Sequence, residues 1–148
     1  MRARMALGAL ALAGLLAGVS ATGATAKVKP VATASPSTGL TNETTLTVSG
    51  HGFVPESQLF LVECAKGIKG KNAGSGEAYC DIAHFEMVTA TAGGEIPPGT
   101  TFTVLTGTIG SNGGECGTSK KTKICYLGVG DTSASKNNSA LAKLTFVP

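Results

Sequence analysis

Short segments in which polar and apolar residues alternate recur through most of this chain. Residues 45–49 and 140–147 both alternate, as a strand does when one of its faces is buried and the other is solvated. Clusters of Gly, Pro, Asn and Ser separate such segments, and beyond the first 26 residues no window carries an apolar stripe of helical period. The pattern predicts an all-β fold of seven or so short strands, which is typical of a sandwich. The other strand candidates are residues 31–34, 59–64, 79–87, 88–91, 101–106 and 123–127.

The N-terminus has the layout of a secretory signal peptide. Arg2 and Arg4 precede an uncharged apolar run over residues 5–19. This run is shorter than the roughly 20 residues that span a bilayer. A small-x-small site places the predicted cleavage after Ala26, with Ala21 as the second choice.

Cleavage there divides the chain into a signal peptide (1–26), a flexible lead-in (27–30) and one domain (31–148). We expect the mature protein to be secreted to the extracellular space, without a membrane anchor, and to be a monomer.

The charge balance argues against a nucleic-acid-binding protein. The chain has 12 Lys and Arg against 9 Asp and Glu, and two of the basic residues, Arg2 and Arg4, lie in the signal peptide. The mature net charge is therefore only about +1, whereas a nucleic-acid binder needs several phosphate-neutralising groups on one face.

Four cysteines in a chain addressed to an oxidising compartment predict two disulfides. Spacing alone leaves three pairings open. We favour Cys64 with Cys80 and Cys116 with Cys125, because each pair then closes one local hairpin-like loop. A zinc site is not expected, since the sequence contains no C-x-x-C pair and His51 and His84 have no ligand spacing.

Signatures of catalysis are missing from the sequence. It contains no G-x-S-x-G elbow and no H-E-x-x-H motif, and two disulfides leave no cysteine free as a nucleophile. A carboxylate pair for glycoside hydrolysis stays open, because the separation of the two groups in space decides it. The sequence therefore favours a binding protein over an enzyme.

Several further residues have an ordinary structural interpretation. We expect Phe53, Phe60, Phe102 and Phe146 to be core residues, while Phe85 fits a core position and a binding position equally well. The carboxylates Glu63, Glu77, Asp81 and Glu86 lie near the first cysteine pair, and most such groups are solvated.

The order of motifs along the chain resembles the neocarzinostatin family of enediyne apochromoproteins. The similarity starts at residues 36–40 and 48–53 and continues through Glu63-Cys64-Ala65, Cys80-Asp81 and Phe85. It ends with Cys116, Cys125, the segment 127–131 and a closing strand that finishes at Phe146.

This resemblance implies a seven-stranded immunoglobulin-like sandwich with the disulfide pairing favoured above. It also implies a ligand cleft beside a disulfide-tied ribbon. In the family the cleft holds an enediyne chromophore, which the protein binds without a covalent bond, protects, and releases to cleave DNA. The protein would be an antibacterial carrier with no cofactor of its own, and it would meet DNA mainly through its ligand.

The resemblance also suggests which residues line the cleft. Cys64 and Cys80 correspond to the disulfide at its floor, and Phe85 corresponds to one aromatic wall. Lys66 stands where the best-known member has a tryptophan, and Gly130 stands where it has a serine. The full set of expected ligand-binding residues is Cys64, Lys66, Tyr79, Cys80, Phe85, Val104, Thr106 and Gly130.

One alternative function shares this fold. The chain would then be a secreted immunoglobulin-like interaction protein that binds no enediyne. The two functions differ in what fills the cleft.

Overall fold

The computed structural model describes residues 28–65, 76–131 and 138–148. Within these ranges it contains ten strands and one helical turn, α1 (Gly76–Tyr79). The strands are β1 (Val31–Ser35), β2 (Thr38–Leu40), β3 (Thr44–His51), β4 (Gln58–Cys64), β5 (Glu86–Thr89), β6 (Thr101–Val104), β7 (Gly107–Ile109), β8 (Gly114–Cys116), β9 (Ile124–Asp131) and β10 (Ser139–Phe146). The predicted all-β fold is confirmed. The predicted signal peptide lies outside the described residues and stays a prediction.

The strands form two sheets and a separate ribbon. One sheet has three strands in the order β1-β3-β6, and the other has five in the order β2-β10-β9-β4-β5. In the described part of the chain, strands β7 and β8 pair only with each other and form a two-stranded antiparallel unit, here called the ribbon. Within the described ranges no helix is long and apolar enough to cross a membrane.

The core lies between the two sheets and follows from the alternation in the sequence. On β3, Leu46 and Val48 are buried while the threonines and serine between and beside them face solvent. The inward positions of β4 and β9 contribute Leu59, Leu61 and Leu127. Burying such side chains from both sheets removes apolar surface from water, which is the main stabilising contribution to a sandwich of this size.

The strand predicted over residues 79–87 is wrong. Tyr79 ends the helical turn, Cys80 makes one isolated bridge with Cys64, and the next strand begins only at Glu86. Asp81 explains the interruption. Its carboxylate accepts hydrogen bonds from the Ala83 amide at 3.1 Å and lies 2.8 Å from Nδ1 of His84. A side chain that satisfies local donors in this way favours a turn over a ladder.

A glycine holds the turn before β6. Gly94 has φ +73° and lies against the backbone of Phe53, whose carbonyl oxygen a Cβ would strike. The Gly94 carbonyl accepts a hydrogen bond from the Phe53 amide at 3.1 Å. Only glycine fits both the left-handed conformation and this close approach.

Candidate ligand-binding site

The side of the five-stranded sheet that faces away from the core carries an apolar patch, with the exposed Lys143 at its margin. Strand pairing aligns Phe60 with Gly130, Val62 with Gly128, and Cys64 with Tyr126. Leu141 continues the second of these rows on β10. We call this surface the outer face and define it by Phe60, Val62, Cys64, Tyr126, Gly128, Gly130 and Leu141.

A disulfide covers one end of the outer face. Cys64 and Cys80 are joined, and both are almost completely buried. Tyr79, Val62, Tyr126 and Leu141 pack against them as partly buried neighbours. The second disulfide joins Cys116 to Cys125, so both bonds have the pairing that the sequence favoured.

Backbone hydrogen bonds fix the first disulfide in place. The Ala65 amide donates to the Tyr79 carbonyl at 2.7 Å, and the Asp81 amide donates to the Glu63 carbonyl at 2.8 Å. These bonds flank the Cys64–Cys80 bridge on both sides. The end of β4 and the segment around Cys80 therefore form one rigid unit beside the outer face.

Exposed apolar side chains lie at the opposite end of this face. The ring of Phe85 is 46% exposed and meets the ring of Phe60 edge to face, with centroids 5.2 Å apart. Met87, paired with Phe60 across the β4–β5 ladder, is 53% exposed. Phe85 is thus not a core residue. Apolar groups of this size stand in water where a ligand or partner can cover them.

Two glycines lie in the middle of the outer face. Gly128 is buried, and a Cβ there would lie 3.3 Å from Sγ of Cys64 and 3.4 Å from Cγ1 of Val62. Gly130 is half-buried, and a Cβ there would lie 3.3 Å from the Cβ of Ser139. Because Gly130 has no side chain of its own, a flat ring can approach the backbone closely at this position.

The structure brings together only some of the residues expected to bind ligand. Cys64, Tyr79, Cys80, Phe85 and Gly130 lie on or next to the outer face. Val104 and Thr106 do not. Val104 is fully buried between the sheets, and Thr106 donates its amide to Oδ1 of Asn42 at 2.9 Å. Lys66 lies outside the described residues.

Sequence reasoning missed Phe60 as a candidate and treated it as core. The residue is only partly buried and belongs to the outer face, while Phe53, Phe102 and Phe146 are core residues as expected. The signal was present in the sequence. Phe60, Val62 and Cys64 are two residues apart along one strand, and side chains with that spacing share a face.

The expectation that Glu63 is solvated is wrong, because this carboxylate is 2% exposed. Its Oε2 accepts the Leu105 amide at 2.8 Å, whereas Oε1 has no hydrogen-bond partner among the described residues. Removal from water raises the pKa of Glu63 to about 7; the Leu105 hydrogen bond acts in the opposite direction, and the nearby Asp81 charge raises the pKa further.

The second disulfide lies next to Glu63. A carboxylate oxygen of Glu63 and the sulphurs of Cys116 and Cys125 lie within 4.8 Å of one another. The two sulphurs are bonded to each other, so the group does not provide metal ligands.

A concavity lies on the other sheet. It has a volume of ≈ 410 Å³ and is lined by β1, β3 and the segment that contains Ile96 and Pro97. Three of its strand residues bear hydroxyls, and the hydroxyls of Thr33 and Ser49 bond each other at 2.7 Å. Its described lining contains no Phe or Tyr, whereas the outer face presents the rings of Phe60 and Tyr126 for a flat ligand to contact.

Comparison with known proteins relates the whole domain to one group. A family model described as the neocarzinostatin family matches residues 32–146. The solved structure of macromomycin is 30% identical over 80% of this chain and 99% of that chain, with a TM-score of 0.56. The solution structure of apokedarcidin is 24% identical over 82% of this chain and 100% of that chain, with a TM-score of 0.47. No curated protein matches the chain.

Proposed function

The chain belongs to the neocarzinostatin family, and from this premise we propose that it is a secreted carrier that binds an enediyne-type chromophore on its outer face. Proteins of this family are non-enzymatic carriers of chromophores, and this chain is accordingly not an enzyme. The observation that carries the proposal is the pair of exposed apolar side chains, Phe85 and Met87, at the edge of an apolar sheet surface.

The proposed site consists of three parts. The Cys64–Cys80 disulfide with Tyr79 forms one end, Val62 and the backbone at Gly130 form the floor, and the Phe60 and Phe85 rings form the other end. Lys66 is proposed at the rim on the strength of the sequence resemblance. We leave Val104 and Thr106 out of the lining, because one is buried in the core and the other bonds Asn42.

The physical advantage of such a site is that it is already formed. Strand pairing and a disulfide hold its parts, so binding a flat apolar ligand requires little ordering of the protein. A bound ligand exchanges contact with water for contact with rings and backbone. Exclusion of water and thiols would extend the lifetime of a reactive chromophore.

We propose that the protein reaches DNA mainly through this ligand and that it acts outside the cell. A mature net charge of about +1 supports little affinity of the protein itself for phosphate. Two disulfides and the predicted signal peptide support secretion.

Replacing Phe85 tests the proposed site. The neutral fluorescent probe 1-pyrenemethanol should bind the wild-type protein, and Phe85→Ala should weaken that binding by about 1–3 kcal/mol through loss of a contact aromatic. Thermal unfolding should change little, because the ring is 46% exposed. Fluorescence titration measures the affinity.

Val54→Ala is the matched control. Val54 is 52% exposed and belongs to neither the outer face nor its edge, so its replacement should leave probe affinity unchanged. A folded Phe85→Ala protein that binds the probe as tightly as the wild type would contradict the proposed site. The interaction-protein alternative would then take its place.

A further inference from the structure

The ribbon is held against the Cys64–Cys80 end of the proposed site along a narrow seam. The Asn112 amide, in the ribbon's turn, donates to the Ala78 carbonyl at 3.1 Å. Gly114 on β8 comes so close to Ala65 that a Cβ would lie 2.6 Å from the Ala65 Cβ. We call this set of contacts, together with the Glu63–Leu105 hydrogen bond, the seam.

Glu63 occupies the buried base of the seam and joins its two sides. Its backbone belongs to β4, next to Cys64, and its side chain reaches the Leu105 amide in the connection between β6 and the ribbon. The same carboxylate adjoins the Cys116–Cys125 disulfide, which ties the ribbon to β9. One side chain thus links the strand that carries the site's disulfide to both ends of the ribbon.

The hydrogen bonds of the Glu63 carboxyl group make the seam sensitive to whether that group is protonated. Oε1 is buried, and no residue in the described ranges is its hydrogen-bond partner. Such burial is tolerable for a neutral carboxyl group and costly for a carboxylate. An ionised Glu63 can hydrate Oε1 only if water reaches the base of the seam, where the side chain is 2% exposed.

The groups around Glu63 reinforce this preference for the neutral form. Among the described residues, Asp81 is the charged neighbour, and its negative charge also opposes ionisation of Glu63. Leu105 offers only its backbone amide, and Cys116 and Cys125 do not titrate because they are joined. Glu115, the residue before Cys116, and Lys123, two residues before Cys125, are exposed to solvent. Burial raises the pKa of Glu63 to about 7, so the change falls in the neutral range.

We propose that Glu63 is a pH-operated latch: its protonated side chain keeps the seam between the ribbon and β4 closed, and its ionisation opens that seam. The consequence for the ligand rests on the proposed function. A carrier of this kind would hold its ligand more tightly in mildly acidic surroundings than in mildly alkaline ones, because an open seam removes support from the Cys64–Cys80 end of the site.

Amide hydrogen exchange of Leu105 in the ligand-free protein tests the latch directly. A carboxyl group with pKa about 7 when buried and 4.5 when hydrated should make the open state about tenfold more populated at pH 8 than at pH 6. The protection factor of the Leu105 amide, which corrects for the intrinsic pH dependence of exchange, should fall by that factor. In Glu63→Gln the protection factor of the Leu105 amide should be independent of pH. The control Glu86→Gln changes an exposed residue, so its protection factor should depend on pH as that of the wild type does.

If Glu63→Gln fails to fold, a pH titration of the wild-type protein still tests the latch. The carbon chemical shift of the Glu63 carboxyl group gives its midpoint in the folded protein, and the fall in Leu105 protection with rising pH should level off above that midpoint. Protection that stays flat between pH 6 and pH 8, or that falls equally in a folded Glu63→Gln protein, would overturn the latch.

The latch and the proposed function fail in different measurements. If 1-pyrenemethanol binds at no pH, the carrier proposal fails, and Leu105 exchange still decides the latch. If the probe binds and the latch operates, the probe's affinity should fall from pH 6 to pH 8 in the wild type and not in Glu63→Gln.

Discussion

Two sequence arguments give opposite predictions for the Glu63 side chain on strand β4. Leu59, Leu61 and Glu63 share one face of this strand, and the first two are core residues. Alternation alone therefore predicts that Glu63 points inward. The general preference of glutamate for water predicts the opposite, and it misled the sequence analysis because the Leu105 amide that compensates the burial lies 42 residues further along the chain.

Glu63 should make folding stability depend on pH in an unusual direction. Its pKa is about 7 in the folded protein and 4.5 in its ordinary state, so the folded chain retains a proton that the unfolded chain releases. The stabilising effect is complete below pH 4.5 and is lost as the pH rises through 7. We expect the unfolding free energy to drop by about 2–3 kcal/mol between pH 5 and pH 8 from this group alone.

Denaturant unfolding of the wild type and Glu63→Gln at both pH values measures that contribution. When the pH rises from 5 to 8, the unfolding free energy of the wild type should fall by about 2–3 kcal/mol relative to that of Glu63→Gln. A difference that stays constant from pH 5 to pH 8 would show that folding does not raise the pKa of Glu63.

Among the strands, length decided which ones could be located from the sequence. The eight-residue strands β3, β9 and β10 were all located from alternation, although β9 runs further than the predicted 123–127. The three-residue strands β2, β7 and β8 were missed. Three residues are too few for a period of two to stand out, and the ribbon strands depend on distant contacts such as Asn112 with Ala78.

The two disulfides stabilise different elements and can be compared directly. Cys64 and Cys80 are 16 residues apart, and Cys116 and Cys125 are 9 apart. The chain-entropy model gives each bond about 2.5–3 kcal/mol, slightly more for the longer loop. Paired alanine substitutions at either bond should therefore lower the unfolding free energy by similar amounts.

Only one of these substitutions should affect ligand binding strongly. Loss of Cys64–Cys80 removes one end of the proposed site and should reduce 1-pyrenemethanol affinity well beyond any effect of losing Cys116–Cys125. Calorimetry and fluorescence titration on both variants separate stability from binding. Equal losses of affinity in two equally folded variants would contradict the placement of the site at the first disulfide.

For the molecule as a whole, the sequence predicted the sandwich and both disulfides, because these depend on alternation and on local loop closure. The composition of the site was harder to predict. Cys64 and Gly130 could be placed by motif, whereas Val104 lies on a strand of the opposite sheet and is buried against the core. Which sheet a strand joins is decided by long-range pairing, and short motifs do not contain that information.

Native mass spectrometry of the protein, purified cold and in the dark from the cells that produce it, tests the central claim that this molecule is a carrier. If the protein is a carrier, we expect a mature chain that has lost its first 26 residues and holds one small molecule. That molecule should dissociate intact when the ions are activated in the spectrometer. Absorbance beyond the protein band should accompany the complex. A mature chain with no added mass and no such absorbance, from cells shown to secrete it folded, would contradict the carrier function.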